Sequence, residues 1–144
     1  MIMEREIKFR GKRIDNGEWV YGYVIYNQWH NTYKIDTGLY GIPSATVDPE
    51  TIGQYTGLKD RDGKEIYEGD LLRRINHYVG EKPYYTVHEV AWTTKYCAWY
   101  CFHTKNERSE LITGNCFLYA YLSGSEYEVI GNIYEHPELL KQQQ

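Results

Sequence analysis

No run of apolar residues in this sequence approaches the roughly 18 needed to cross a bilayer as a helix, and the mean hydropathy is −0.67. The opening residues, through Glu6, hold no apolar stretch of the kind a secretory signal needs. A soluble protein, expected in the cytoplasm, follows from both. A basic excess is also missing: 16 Lys and Arg stand against 20 Asp and Glu, a net −4. That argues against a dedicated high-affinity DNA binder, which carries a clearly basic domain. The three cysteines, Cys97, Cys101 and Cys116, are too few and odd in number for a disulfide framework, so reduced thiols are expected. With 4 prolines there is no proline-rich linker, and no internal repeat is visible. A chain of 144 residues is one domain or two very small ones. At that size roughly 70% of the unfolded surface is buried, so no metal or disulfide is needed to hold a core.

What the sequence has in excess is aromatic: 16 Tyr, 4 Trp and 3 Phe, beside 13 Gly. Tyrosine and tryptophan suit a pleated, half-buried surface, and glycine suits its turns. Ile7 to Arg10 alternates apolar and basic residues at the period of a strand. Asn16-Gly17 then signals a hairpin, because both residues tolerate positive φ. Trp19 to Tyr26 and Tyr33 to Tyr40 read as further strands, so residues 7–40 are expected to form a β meander. From Val47 to Asp70 turn chemistry dominates. Asp60 to Gly63 should close a hairpin with Gly63 at positive φ, and Glu68-Gly69-Asp70 makes a second turn. Leu71 to Ile75, Tyr84 to Thr93, Lys95 to His103, Cys116 to Leu122 and Tyr127 to Tyr134 have strand-like composition. Their spacing suggests a sandwich or small barrel. Pro137 suits the first position of one terminal helical turn, and the last three residues, all Gln, are expected to fray. The expected division is a meander over 1–48, a barrel over 49–136 and a tail over 137–144.

Three strings resemble the YopX family: Arg5 to Lys12, Val47 to Asp70, and Glu128 to Glu135. They fall at the start, middle and end, and the central one is long. The resemblance implies a small protein encoded by a phage or prophage, acting inside the bacterial host cell. It implies a mainly β fold with an SH3-like barrel, placed at 49–136, and oligomers. It brings no established activity and so no catalytic residues. Residues 76–125 carry no family string, so a member-specific binding surface is expected there.

Each candidate site has a structural alternative. Cys97, Cys101 and His103, with His88 nearby, make the most metal-like group. On a regular strand the two thiols stand about 13 Å apart, whereas one zinc ion holds its sulfurs at about 2.3 Å. Buried structural cysteines fit better, and no metal or cofactor is expected. A nucleophilic Cys needs a base and an electropositive setting, which the crowd of Trp99, Tyr100 and Phe102 does not offer. Asp60, Asp62, Glu65 and Asp70 suggest calcium, but an EF-hand counted from Asp60 needs an oxygen ligand at its fifth position, Gly at its sixth and Glu at its twelfth. Lys64, Glu65 and Leu71 stand there instead. These acids are expected to cap turns.

The basic N-terminal strand is the remaining candidate. Lys8, Arg10 and Lys12 share one strand face and suit phosphates, while Trp19, Tyr21 and Tyr23 suit stacked bases. The alternative is a solvated strand whose cations block edge pairing. Finally, 16 tyrosines exceed what one small core can bury with satisfied hydroxyls, and aromatics are enriched at protein interfaces. The expectation is a non-enzymatic accessory protein that works by protein–protein contact and self-assembly. A nucleic-acid-binding module using Lys8, Arg10, Lys12, Trp19, Tyr21 and Tyr23 is the competing reading.

Overall fold

The computed structural model describes residues 6–79, 82–103, 116–117 and 127–141, with backbone alone at 75–79, 82–85, 103 and 116–117. The elements are β1 Phe9–Arg13, β2 Trp19–Asn27, β3 Thr32–Asp36, β4 Ala45–Lys59, β5 Glu65–Tyr67, β6 Asp70–Val79, β7 Lys82–Thr93, β8 Ala98–His103, β9 Cys116–Phe117 and β10 Tyr127–Asn132, followed by a 3-10 turn at Pro137–Leu140. The protein is therefore mainly β, as the composition suggests. Its chain divides into two compact units, Met1–Gly57 and Leu58–Gln144.

In the first unit the expected hairpin forms at Asn16-Gly17. Gly17 takes φ +73°, and its N–H donates to Arg13 O at 3.0 Å. Outside it, the Arg13 guanidinium grips the Asp15 carboxylate at 2.7 and 3.0 Å. These hydrogen bonds hold Asp15 below its ordinary pKa and raise that of Arg13. Trp19 then opens β2, which pairs antiparallel with β1 and with β3. The third strand is shorter than Tyr33 to Tyr40: Asp36 Oδ1 accepts from Gly38 N at 2.8 Å and turns the chain out of the ladder.

The meander does not stay open. β4 pairs with β3 through Ala45, Thr46 and Val47, and with β1 from Arg13↔Val47 to Phe9↔Gln54. Each of β1 to β4 thus pairs with two others of the four, β4 also with β5, and the ladder of β1 to β4 runs in a ring. Inside it, Ile35 and Val47 are buried. A Cβ on Gly11 would lie 3.0 Å from Ile35 Cδ1 and 3.1 Å from Val47 Cβ, so only glycine fills that inner position without displacement.

A strand also runs through what reads as turn chemistry after Val47. Thr51, Ile52, Tyr55 and Thr56 give β4 the β-branched and aromatic residues a strand needs. The turn residues are absorbed by an irregularity. Lys12 pairs with Asp48 and Arg10 with Gly53, so two steps on β1 span five on β4. Pro49, with no N–H to give, falls inside that excess. Side chains replace the missing ladder bonds: Thr51 Oγ1 accepts from Lys12 N at 2.8 Å and donates to Asp48 O at 2.7 Å, while Asp48 Oδ1 accepts from Glu50 N at 3.0 Å.

The second unit opens with the other expected hairpin. Gly63 sits at φ +82° and donates to Asp60 O at 3.0 Å. Asp60 is buried, and its Oδ1 accepts from both Asp62 N and Lys64 N at 2.9 Å. Asp70 caps the next turn, its Oδ2 accepting from Tyr67 N at 2.8 Å. Between them Gly69, at φ +82°, donates to Val90 O at 2.8 Å and accepts from Ile133 N at 2.9 Å.

An antiparallel sheet of order β10-β6-β7-β8-β9 follows. One face holds the core: Ile66, Leu72, Val90, Cys101 and Tyr127, with Leu58, Trp99 and Val129 against it. Leu71 and Val87 are buried on the opposite face, and the 3-10 turn packs against β7. Arg73 pairs with Glu128 across β6 and β10. Asn132 closes β10: its Oδ1 accepts from Tyr134 N and Glu135 N, both at 3.0 Å. The strand expected over Lys95 to His103 is shortened, since residues 94–97 form the turn between β7 and β8. Of the strand expected over Cys116 to Leu122, residues 118–122 lie outside the described residues, as does the Gln tail.

Two consequences can be measured. At Gly22, φ is +154° and a Cβ would meet Asp36 O at 2.0 Å, so Gly22→Ala must break the β2–β3 register. Its cost in urea unfolding should be on the order of 3 kcal/mol. Gly17→Ala, with open space around it, should cost only the left-handed backbone penalty of about 1 kcal/mol. Glu89 gives a pH test. Burial, and then the charge of Glu68, raises its carboxyl above the usual range. The folded chain holds this proton more tightly than the unfolded one, so the associated stability is present in acid and lost as pH rises through the raised value. Glu89→Gln should therefore raise the melting temperature at about pH 7, and the gain should vanish near about pH 3.5, below the usual carboxylate pKa.

Candidate functional site

The register of the first unit tests the basic face directly. Arg10 lies opposite Tyr21 and Lys12 opposite Trp19, and Tyr23 follows at the strand period of two. Lys8, Arg10, Lys12, Trp19, Tyr21 and Tyr23 thus share the outer face of β1 and β2. They are not equally available. Arg10 is 6% exposed, and its guanidinium lies 4.7 Å from the Trp19 ring centroid. Lys8 Nζ is 3.2 Å from Glu6 Oε1 and 5.0 Å from the Tyr55 ring centroid. Lys12 faces Asp48 across the β1–β4 ladder. Lys8 and Arg10 are engaged with the protein's own acid and rings, and Tyr21 and Tyr23 are the two members that stand exposed.

Exposed apolar side chains continue from those tyrosines. Ile25 is the next outward residue of β2 and is exposed, as is Tyr26 at its end. At the β2–β3 hairpin tip, Trp29 is 86% exposed. The tip is fixed locally: Asn27 Oδ1 accepts from Trp29 N at 3.1 Å and His30 N at 3.3 Å, and Tyr26 OH donates to Asn31 Oδ1 at 2.9 Å. After β3, Leu39, Tyr40 and Ile42 are exposed, Tyr40 wholly so. That loop is also tied, with Leu39 N donating to Thr37 Oγ1 and Ile42 N to Leu39 O, at 3.3 and 3.2 Å. A Cβ added at Gly38 would lie 3.6 Å from Tyr23 Cε2, so the loop passes beside that ring.

In the second unit Trp92 and Tyr96 are the exposed large hydrophobics among the described residues. Trp92 and Trp99 meet edge to face across β7 and β8 at 5.1 Å, and Tyr96 stacks on Tyr100 at 5.7 Å. The other candidates are placed as follows. Cys101 is buried in the core. Cys97 is not the buried structural cysteine expected: it ends the turn before β8, at φ +49°, and its side chain is exposed. Position 97 therefore leaves the strand period that would align it with Cys101. His88 is buried on the core side, while the side chains of His103 and Cys116 lie outside the described residues. Among the described residues no group of three or more His, Cys, Asp or Glu could hold a metal ion. Asp60 and Asp70 turn their oxygens to backbone N–H groups, as turn caps do.

Trp29, Leu39, Tyr40 and Ile42 were not singled out by the sequence reading. A signal does exist: an aromatic inside the polar turn Asn27 to Asn31, and apolar residues inside a loop bounded by Gly38 and Pro43. Both violate the expectation that turns are polar.

No helix among the described residues is long and apolar enough to cross a membrane. No curated protein matches the sequence. Among solved structures the fold is similar to protein EF1440 from Enterococcus faecalis, determined by crystallography. The two share 27% sequence identity and a TM-score of 0.56, over 94% of this chain and 98% of that one. The family model described as YopX protein matches residues 4–141, and the chain belongs to that family.

Proposed function

We propose that this chain is a non-enzymatic phage or prophage accessory protein that works by protein contact, second copies of itself included, through the aromatic surface of its first unit. The observation that carries this reading is the set Tyr21, Tyr23, Trp29, Leu39, Tyr40 and Ile42, exposed on backbone held by local hydrogen bonds. Burying each such side chain is worth about 1.5–3 kcal/mol. Turns that are already ordered lose little entropy on docking. Two strand tyrosines and four aliphatic or aromatic turn and loop residues held this way are the makeup of an interface centre.

The ring of β1 to β4 supports a small-barrel reading of the SH3-like kind, although its strands run from Phe9 to Lys59 and only β4 reaches into the 49–136 span in which the barrel was expected. A nucleic-acid role is favoured by one observation, the alternation of Arg10 and Lys12 with Tyr21 and Trp19 across β1 and β2. Against it stand the burial of Arg10 and the pairing of Lys8 with Glu6. A phosphate-binding strand presents its cations to solvent, and salt-dependent affinity depends on that.

Light scattering coupled to size exclusion separates the readings. A discrete oligomer is expected whose mass is insensitive to salt. Trp29→Ser and Tyr40→Ser should each weaken assembly by roughly tenfold or more, the effect of removing an aromatic anchor. A monomer that co-elutes with a short mixed-sequence DNA only at low salt would overturn the proposal in favour of the basic strand.

A further inference from the structure

The outer side of β10 is occupied, and by something other than a strand. β10 pairs with β6 on one side and ends the order of its sheet among the described strands. On the other side Tyr127 O accepts from Arg61 N at 3.1 Å, and Val129 N donates to Asp60 Oδ2 at 3.0 Å. In an antiparallel strand, alternate residues turn both backbone groups to the same side. Tyr127 and Val129 are therefore the outward pair, while Glu128 faces β6. The Asp60 turn meets that pair with one backbone donor and one side-chain acceptor. It satisfies the edge while presenting no edge of its own.

Bare strand edges template pairing with another chain, and proteins cover them for that reason. Here the covered groups have a further property. A carbonyl at 127 and an N–H at 129 are self-complementary. A second β10, laid antiparallel about a two-fold axis through Glu128, sets 127 against 129 twice over. Such a contact is isologous and closes on itself. Glu128 of each copy would meet the axis with its carboxylate already paired to Arg73.

We propose that the Asp60–Arg61 turn is an internal plug on the β10 edge, and that displacing it makes β10 a strand-pairing surface for a second copy of this chain. The plug is local: Arg61 N and Asp60 Oδ2 join it to the edge, and the Asp60 cap orders the turn itself. The turn itself closes independently through Gly63 N to Asp60 O. It can therefore be removed from the edge without dismantling the hairpin.

Arg61→Pro does this gently. Position 61 is the first central residue of the turn, where proline is favoured, and proline has no N–H to give Tyr127 O. Asp60→Asn acts on the other bond, since an amide cannot accept from Asp62, Lys64 and Val129 together. In full-length protein, each variant should retain its sheet circular dichroism. Hydrogen exchange at the Val129 amide should accelerate at least tenfold in Asp60→Asn at low concentration. At high concentration both variants should double the wild-type mass by light scattering, with the Val129 amide protected again. Adding Val129→Pro, tolerated on an edge strand, removes the donor the second copy needs and should restore the wild-type mass. In a Tyr40→Ser background each variant should still double the mass of Tyr40→Ser alone, which separates this edge from the aromatic surface of the first unit. Three results would overturn the proposal. One is an exposed Val129 amide with no mass change at any concentration. Another is doubling that survives Val129→Pro. The third is loss of the sheet spectrum in Arg61→Pro, which would make the contact a requirement of folding and not a plug.

Discussion

One buried carboxylate, that of Asp60, accepts three backbone N–H groups, from Asp62, Lys64 and Val129. Two of those donors lie in its own turn and the third in β10, 69 residues away. A charged acceptor in a buried site is tolerated only when its lone pairs are met, and this carboxylate thereby ties the hairpin to β10 in the native state. Removing the carboxylate would orphan three donors at once, and buried orphans cost about 1–3 kcal/mol each. The second unit is consequently specified by a polar contact as much as by its core of Ile66, Leu72, Val90, Cys101 and Tyr127.

The strings that resemble the YopX family coincide with this kind of bookkeeping. Asp48 and Thr51 replace missing ladder bonds, Asp60 and Asp70 cap turns, Gly69 bridges Val90 and Ile133, and Asn132 ends β10. These are solutions to the satisfaction of buried backbone groups. They explain why such strings report a fold without reporting a chemistry. The surface that supports the proposed binding lies mostly in other residues, over Tyr21 to Ile42.

Local features were legible in the sequence, and non-local ones were not. Asn16-Gly17 and Asp60 to Gly63 declare their hairpins because the required φ values belong to the residues themselves. Strand composition likewise places β2 and β7 closely, while β6 runs to Val79, past the expected end at Ile75. Ring closure by β1 and β4 leaves no local trace, since it rests on Ile35 and Val47 filling the space that Gly11 leaves. The shortening of the strand before Cys101 was hidden because Cys97 adopts a left-handed backbone that its residue type does not advertise. At the site, strand period alone places Lys8, Arg10 and Lys12 on one face. The engagement of Lys8 and Arg10 depends on Glu6, Trp19 and Tyr55, partners that period cannot reveal.

The ring also has a temporal side. β1 meets β2 after a short hairpin, yet its second partner begins more than 30 residues later, at Val47 opposite Arg13. Pairings of large sequence separation form slowly, because the loop between them must be ordered first. A ribosome adds residues at roughly 5–20 per second and releases the N-terminus first. The β1–β2 and β2–β3 hairpins can therefore form while β4 is still being made, with one flank of β1 bare in the interval. The first unit completes its ladder only when β4 emerges, so the vulnerable species in its biogenesis is a three-stranded meander waiting for its fourth strand.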